Sequence, residues 1–399
     1  MITDQRTGRR RYRVLHSVRS LRVDGIVVNL LRMVEALDAT RFESRVCFML
    51  PDVQLEPEYR RAGVTPLLLE HHGHTSTLST LRRIARYIRG NEIDIVHTNH
   101  SLDSALVGLA ARVCNVPVVS SLHWLADREA DRPGVFRAPL RNITPMVRLA
   151  MDRWVVSRVI AVSQAVKDTH VRVHGLPAWK TEVVYPGLVM SECAPPSAAA
   201  LARLRAELEL GDAHPLLVSV GRLVAGKGQE HLLRMLPRVL ERWPNALLLL
   251  VGDGPRRADF EEWIAGDERL SGHVRLLGWR SDVDVLLALG DLLLLPSDSE
   301  AVSLPIMEAM RAGKAVVATA VGGIPEIVAD GVSGRVVPRA DPDAMAAAVL
   351  ETLSEDGRAE RMGAEGRRIA TERFDIRDAA RATERIYLTL LEGNGRRRS

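Results

Sequence analysis

The strongest constraint on this chain is an alternation, along its whole length, of short apolar runs with longer stretches that have apolar residues at helical spacing. In the first half the runs are YRVLHSV, SRVCFML, IDIVHTN, VPVVSSLH and RVIAVS, and in the second half LLVSVGR, ALLLLVG, VRLLGW, DLLLLPS, AVVATAV and GRVVP. Such runs fit buried strands, and the helices between them fit the crossovers that parallel strands need. The pattern predicts an α/β protein with two doubly wound, Rossmann-like sheets.

A proline-rich break separates the two sets of strands. Residues 186–200 begin with Pro-Gly and contain Ala-Pro-Pro-Ser, a composition typical of a linker. A chain of 399 residues also exceeds what one core usually supports. We predict an N-terminal domain over residues 1–190 and a C-terminal domain over residues 191–375. Two such domains facing across a cleft would bind ligand between them, at the carboxyl ends of their strands.

Composition narrows the class of protein. With 46% hydrophobic and 26% charged residues, the chain is expected to be globular, and no window approaches the ~18 continuous apolar residues of a membrane span. The first residues lack the apolar stretch of a secretory signal, so we expect a cytoplasmic protein. The cysteines are scattered and the aspartates of SDSE and SDVDV lack ligand spacing, so neither a metal nor another cofactor is expected.

The net charge of +4 comes mostly from arginine and favours anionic partners. No nucleic-acid motif is present, so nucleic acid is not expected as a partner. The segment LSTLRRIARYIRG sets Leu81, Ile84, Ala85 and Ile88 against four arginines. This pattern is compatible with peripheral contact on the inner face of an anionic membrane, but it is more typical of an ordinary helix that has a solvated basic face.

Two cations follow the first strand of the second half. Arg222 stands at the strand end, and Lys227, one of four lysines in the chain, lies in a glycine-flanked turn just before a helix. Because free amides and the helix dipole already favour anions there, the pair suits a phosphate or diphosphate. The alternative is that both are solvated surface charges.

The stretch SDSEAVSLPIMEAM follows the run DLLLLPS directly. It places Glu300 in a loop, Ser303 as the N-cap of a helix that begins at Leu304 or Pro305, and Glu308 on that helix's second turn. Loop carboxylates and free helix amides can bind sugar hydroxyls and phosphate oxygens. The alternative is that Glu308 only complements the helix dipole and Glu300 is a solvated loop residue.

Two positions in the first half could also meet a ligand. Gly25 lies at or near a helix start after the first strand, where a phosphate or sugar could pass close to the backbone. His123 ends the run VPVVSSLH and is a candidate polar contact, although a lone histidine at such a place is more often structural. No Walker motif, G-x-S-x-G elbow, H-E-x-x-H or Cys-x-x-Cys appears.

Several segments, in order, resemble those of GT-B glycosyltransferases, and in particular the retaining family 4 enzymes. They are GRLVAGKG, LLLVGDGP, VRLLGWRSDV, DLLLLPSDSEAVSLPIMEAMRAGKAVVATAVGGIPEIV and DGVSGRVV. The resemblance implies a nucleotide-sugar donor held mainly by the C-terminal domain, an acceptor held mainly by the N-terminal domain, and a final helix, residues 376–399, that returns to the N-terminal domain. No metal is implied.

The resemblance also implies roles for single residues. Arg222 and Lys227 match the basic pair that binds the donor diphosphate, and the E-x7-E motif places Glu300 near the donor sugar and Glu308 on the ribose. The remaining matches are His123 at the donor sugar, Gly25 in the first loop, the main chain from Gly278 to Arg280 at the base, and the helix start at Ser303 and Leu304.

The sequence departs from the family pattern at a few positions and leaves other functions open. Ala301 and Ser303 stand where glycines are common, and Asp24 precedes Gly25 where Gly-Gly is frequent. These changes bear on which sugar fits. The leading hypothesis is transfer of a sugar to a glycan, lipid-linked or other cell-envelope acceptor. One alternative is another GT-B activity, such as that of a nucleotide-sugar epimerase or a phosphorylase. The other is a non-catalytic protein that binds a sugar nucleotide or a partner.

Overall fold

The computed structural model describes residues 11–69, 77–99, 102–125, 153–190 and 195–395, without the side chains of 102–105 and 394–395. Within it the chain forms two compact units. The first unit contains residues 1–187 and 376–399, and the second contains residues 188–375. The chain therefore passes between units at 187–188, near the start of the predicted linker, and again at 375–376.

The first unit is built on a seven-stranded sheet with the order β3-β2-β1-β4-β5-β6-β7, in which every neighbouring pair is parallel. Its strands are β1 (Tyr12–Val18), β2 (Phe42–Phe48), β3 (Leu67–Leu68), β4 (Ile95–Thr98), β5 (Val118–Leu122), β6 (Arg158–Ala161) and β7 (Thr181–Val183). The helices between them are α1 (Gly25–Ala36), α2 (Glu56–Arg61), α3 (Thr77–Gly90), α4 (Leu102–Val113) and α5 (Gln164–His174).

The second unit is built on a six-stranded sheet with the order β10-β9-β8-β11-β12-β13, again parallel throughout. Its strands are β8 (Leu216–Val220), β9 (Leu247–Val251), β10 (Val274–Gly278), β11 (Leu292–Leu295), β12 (Ala315–Thr319) and β13 (Gly334–Val337). Its helices are α6 (Ala198–Glu207), α7 (Gln229–Leu240), α8 (Arg257–Gly266), α9 (Val283–Leu289), α10 (Leu304–Arg311), α11 (Ile324–Ile327), α12 (Pro342–Leu353) and α13 (Arg358–Arg373).

The predicted strands are present because their apolar runs are buried on both faces. Leu248, Leu250, Leu292 and Leu294, for example, lie in one buried cluster of the second unit together with residues of α7 and α12. This burial confirms the predicted α/β, doubly wound architecture of each unit. The sequence did not reveal β3 or β7, which are edge strands of two and three residues.

The final helix, α14 (Ile376–Gly395), belongs to the first unit. Glu384 Oε1 accepts a hydrogen bond from the main-chain nitrogen of Asp38, just after α1, at 2.7 Å. The hydroxyl of Tyr387, which is fully buried, lies 2.5 Å from His97 Nδ1 on β4. These contacts hold the end of the chain against the domain in which the chain begins. No helix in the described ranges is long and apolar enough to cross a membrane.

Candidate donor site of the second unit

The order in which strands are added to the second unit's sheet reverses between β8 and β11. From β8 the chain builds outward through β9 to β10, and it then returns to place β11 on the other side of β8. In open parallel sheets a crevice forms at the carboxyl ends of the two strands where the order reverses, and ligands bind there. The loops that follow β8 and β11 carry Lys227 and Glu300, so both predicted residues lie at this position.

Lys227 and Glu300 are in direct contact. Lys227 Nζ donates to Glu300 Oε1 at 2.5 Å, and Ser297 Oγ donates to the same oxygen at 2.7 Å. The main-chain oxygen of Glu300 accepts a hydrogen bond from Gly323 N at 3.1 Å. The side chain of Glu300 is 11% exposed and that of Lys227 is 29% exposed. Glu300 is therefore fixed by hydrogen bonds to both its side chain and its main chain, whereas the side chain of Lys227 is more open to solvent.

Glycines give the loop around Lys227 its shape. Gly226 and Gly228 have φ angles of 86° and 72°, which side chains rarely allow. A Cβ atom on Gly228 would lie 2.1 Å from the carbonyl oxygen of Pro296, just after β11. Asp298 N also donates to Gly226 O at 3.0 Å. The loops that follow β8 and β11 are thus in contact through their main chains. This contact fixes the position of the Lys227 backbone.

The helix start predicted from the sequence is present. α10 begins at Leu304, and Ser303 Oγ accepts a hydrogen bond from Ile306 N at 3.4 Å, with Pro305 in the first turn. The first amides of a helix have no partner within it, so the start of α10, including Leu304, adds positive potential to this edge of the sheet. Ser303 is only 3% exposed, and its hydroxyl serves its own helix. Glu308 is half-buried one turn further along.

Arg222 lies two residues beyond β8 and is exposed. Its main-chain oxygen accepts a hydrogen bond from Gln229 Nε2 at 3.1 Å. Its guanidinium group makes no hydrogen bond or ion pair with any residue that the structure describes. Arg222 is therefore a cation at the same edge as Lys227, with its full hydrogen-bonding capacity available.

The segment after β10 uses its arginine for internal contacts. Arg280 donates to both carboxylate oxygens of Asp282, at 2.7 and 2.6 Å, and to Glu207 Oε1 at 3.0 Å. The hydrogen bonds that Arg280 donates to Asp282 and Glu207 raise the pKa of Arg280. The Arg280 side chain is thus engaged within the second unit, and the predicted contact of the segment from Gly278 to Arg280 does not need it. Trp279, which sequence reasoning did not single out, exposes 62% of its surface beside Gly278.

In the first unit, a side chain of the loop after β1 accepts hydrogen bonds from the first free amides of α1. Asp24 Oδ1 accepts hydrogen bonds from Ile26 N and Val27 N, both at 2.9 Å, so α1 begins at Gly25 with a carboxylate already at its N-terminus. Two amides that could have met a ligand's phosphate at Gly25 are therefore occupied. The signal for this cap was present in the sequence, since aspartate is among the strongest N-cap residues.

His123 lies one residue beyond β5 and borders a cavity of about 30 Å³ that Asn29, Asn99 and Ser121 also line. Its Nε2 atom has no hydrogen-bond partner among the described residues. Burial lowers the pKa of His123 to about 4, so the ring is neutral at pH 7. A neutral imidazole with an unused nitrogen can bind a hydroxyl group, but it offers no charge to a phosphate.

The structure thus brings Arg222, Lys227, Glu300, Ser303, Leu304, Glu308 and Gly278 to the carboxyl edge of one sheet, whereas Gly25 and His123 belong to the other unit. Ser297, which positions Glu300, was missed because serine is an ordinary residue of such loops. Within the described ranges, no cluster of three or more His, Cys, Asp or Glu residues could hold a metal ion.

Comparison with known proteins adds the family context. The profile described as Glycosyl transferases group 1 matches residues 202–369, and that described as Glycosyltransferase Family 4 matches residues 23–192. The chain is 31% identical over 305 residues to a GDP-mannose-dependent alpha-(1-6)-phosphatidylinositol monomannoside mannosyltransferase of Mycolicibacterium smegmatis, a match that covers 74% of this chain and 76% of the relative. It is also 31% identical to a D-inositol 3-phosphate glycosyltransferase of Xylanimonas cellulosilytica, with 74% and 71% covered.

Solved structures share the fold. The crystal structure of HepE from Anabaena in complex with UDP superposes with a TM-score of 0.80 at 21% identity, covering 95% of this chain and all of that one. WaaG, a glycosyltransferase involved in lipopolysaccharide biosynthesis, superposes with a TM-score of 0.72 at 18% identity, covering 94% and 99%. At these identities the likeness concerns the fold.

Proposed function

The chain belongs to the family 4 glycosyltransferases of the GT-B fold, and we propose that it is a retaining, metal-independent enzyme. It would move a sugar from a nucleotide-sugar donor to a glycan, lipid-linked or other cell-envelope acceptor. The observation that carries the proposal is the contact between Lys227 and Glu300. It is 2.5 Å long and lies where the strand order of the second unit's sheet reverses. It unites a cation for phosphate and a carboxylate for sugar hydroxyls at one edge.

The donor is proposed to be a nucleoside diphosphate sugar. Arg222 and Lys227 offer two cations in the loop after β8, and Lys227 contacts Glu300 just before α10, an arrangement that suits a diphosphate. The Mycolicibacterium relative is described as GDP-mannose-dependent, and HepE was solved with UDP and with UDP-glucose. These names support the class of donor and leave the base and the sugar to experiment.

In the proposed reaction the bond between the anomeric carbon and the diphosphate oxygen breaks, and the acceptor hydroxyl oxygen bonds to that carbon from the same face. The hydroxyl proton passes to the departing phosphate. Arg222 and Lys227 stabilise the negative charge that grows on the leaving group. In metal-dependent enzymes a bound cation stabilises this charge instead. Attack from the same face would retain the anomeric configuration.

The remaining residues would position the donor. Glu300, fixed by Lys227 and Ser297, would accept hydrogen bonds from sugar hydroxyls rather than act as a nucleophile, since its Oε1 atom already accepts two hydrogen bonds. Glu308 would bind the ribose hydroxyls. His123, neutral at pH 7, would bind a hydroxyl of the donor sugar. The main chain from Gly278 to Arg280 would meet the base.

Peripheral contact with an anionic membrane is proposed through α3. Ile84, Ala85 and Ile88 are buried in the first unit, while Arg82 and the other arginines of α3 are exposed. Any membrane contact through this face would therefore be electrostatic and would weaken with salt. Sedimentation with phosphatidylglycerol vesicles tests it: binding at low salt that is lost at high salt supports the contact, and no binding at low salt contradicts it.

The enzymatic proposal is tested by a screen of UDP- and GDP-sugars for thermal stabilisation, release of the nucleoside diphosphate and product configuration. We expect one donor to stabilise the protein and to be turned over in the presence of EDTA, with an anomeric proton coupling in the product that shows retention. Stabilisation without turnover would indicate a non-catalytic binding protein, and conversion of the sugar without release of nucleotide would indicate an epimerase. An inverted product, or loss of turnover in EDTA, would contradict the corresponding part of the proposal.

A further inference from the structure

A second pocket lies at the opposite edge of the first unit's sheet from His123. It is lined by the segments that enter β5, β6 and β7, and its volume is about 490 Å³. The lining residues are Arg112, Asn115, Val116, Pro117, Trp154, Val155, Val156, Ser157, Trp179 and Lys180. Pockets that bind small molecules usually measure 300 to 1,000 Å³, so this one, called the tryptophan pocket below, is large enough for one or two sugar rings.

Two indole rings in this pocket are unusually open to solvent. Trp154 is 76% exposed and Trp179 is 72% exposed. Tryptophan contributes most to stability when its ring is buried, so two exposed rings at one pocket indicate a binding surface rather than a structural need. Their flat apolar faces complement ligands that have an apolar face of their own.

Contacts of neighbouring residues fix the backbone next to both tryptophans, and Arg158 packs against the Trp179 ring. Lys180, which is 5% exposed, donates from Nζ to the main-chain oxygen of Arg153 at 3.0 Å, and so ties the neighbours of Trp154 and Trp179 together. The guanidinium group of Arg158 lies 5.4 Å from the centre of the Trp179 ring and donates to Ser157 O at 3.2 Å. A pocket whose aromatic walls are fixed before binding loses less entropy when it binds.

Charge further defines the ligand. The lining contains Arg112 and Lys180 but no carboxylate. Arg112 is exposed at the end of α4, and its guanidinium group pairs with no residue that the structure describes. Asn115 and Ser157 add neutral hydrogen-bonding groups. The pocket therefore combines flat apolar walls, uncharged polar groups and a cation.

We propose that the tryptophan pocket binds an acidic sugar. The apolar face of the sugar ring would pack against Trp154 and Trp179, its hydroxyls would bond to Asn115 and Ser157, and its carboxylate or phosphate would pair with Arg112. A concave site favours such a discrete ligand over a flat lipid surface. The inference is independent of the donor chemistry, because the pocket lies at the amino ends of the first unit's strands and the candidate donor site belongs to the second unit.

Saturation-transfer NMR on the full-length protein tests the proposal with glucuronic acid, glucose 6-phosphate and glucose. We expect transfer to ring protons of both acidic sugars and weaker binding of glucose. Trp154→Ala and Trp179→Ala should each weaken binding of the acidic sugars about tenfold, the effect of one lost aromatic contact. Arg112→Gln should remove the preference for acidic sugars.

Lys227→Ala separates this site from the donor site. It should lower donor turnover about 10²- to 10³-fold and leave binding of glucuronic acid unchanged, whereas Trp179→Ala should weaken binding of glucuronic acid and leave donor turnover unchanged. Absence of transfer to all three sugars, or transfer in both tryptophan variants as strong as in the original protein, would overturn the proposal. So would a result in which the tryptophan variants lose only their sedimentation with phosphatidylglycerol vesicles, because the pocket would then be a membrane contact.

Discussion

Lys227 Nζ and Glu300 Oε1 lie 2.5 Å apart, although 73 positions separate the two residues along the chain. The contact exists because β11 returns to lie beside β8, so that the loops following the two strands meet. The carboxylate orients the ammonium group. The Lys227 side chain is 29% exposed, so its ammonium group is also accessible to the diphosphate proposed as its ligand.

Replacement of Lys227 tests its proposed catalytic role. Lys227→Ala removes one of two cations that would stabilise the leaving diphosphate, and loss of such a group typically lowers kcat by about 10²- to 10³-fold. Steady-state kinetics with the donor found in the screen measures the effect. Lys167→Ala, a change of another of the four lysines, on α5, is the matched control and should leave kcat unchanged. A Lys227→Ala enzyme with normal kcat would mean that Lys227 has only a structural role.

Glycine at position 228 is expected to be required for the fold of the donor loop. Gly228→Ala would place a Cβ atom 2.1 Å from Pro296 O at a φ of 72°. Gly313→Ala is the matched control, because Gly313 has a similar φ of 74° but open space around it. Urea unfolding should show that Gly228→Ala costs about 2 kcal/mol more than Gly313→Ala, the excess being the steric clash. Equal losses would show that the loop simply shifts away from Pro296.

Ser303 is expected to act on stability rather than on the choice of sugar. Its hydroxyl caps α10, as that of Ser197 caps α6, where Oγ accepts from Ala200 N at 3.2 Å. Ser303→Ala and Ser197→Ala should each lower the free energy of unfolding by about 1 kcal/mol, and Ser303→Gly by only a few tenths. Donor preference, measured as the ratio of kcat/KM for two nucleotide sugars, should stay the same in all three. A changed ratio in Ser303→Gly alone would place the side chain against the sugar.

The architecture was predictable because each buried strand is recorded locally, as a run of apolar residues. The N-cap at Ser303 was equally local, since a cap and its amide lie three residues apart. The positions of Lys227 and Glu300 after their strands followed from the same runs. Their contact did not, because it depends on which strands become neighbours in the sheet.

Other side chains were unpredictable for the same reason. Arg280 has a neighbouring carboxylate at Asp282, but its second partner, Glu207, lies 73 positions earlier. The partner of His97 is also distant, since the ring bonds to Tyr387 across 290 positions. Asp24 is different, since its cap on α1 is local and was overlooked in favour of the glycine beside it.

Buried histidines should make the protein less stable in mild acid. His16 is fully buried, neither of its ring nitrogens has a partner among the described residues, and burial lowers its pKa from 6.5 to about 3. Between pH 6.5 and 3 the His16 ring is protonated in the unfolded chain but neutral in the folded protein. The free energy of unfolding therefore falls as the pH decreases from 6.5 toward 3, by about 1.4 kcal/mol per pH unit for this one group.

His16→Leu tests that slope, because leucine fills a similar volume and no hydrogen bond to the ring is lost. Urea unfolding at pH 7, 6, 5 and 4.5 should show that the variant loses less stability per pH unit than the original protein, by about 1.4 kcal/mol. His97 and His123, whose pKa values burial also lowers, should account for much of the slope that remains. Parallel curves for the two proteins would show that His16 accepts a proton in the folded state as readily as in the unfolded chain.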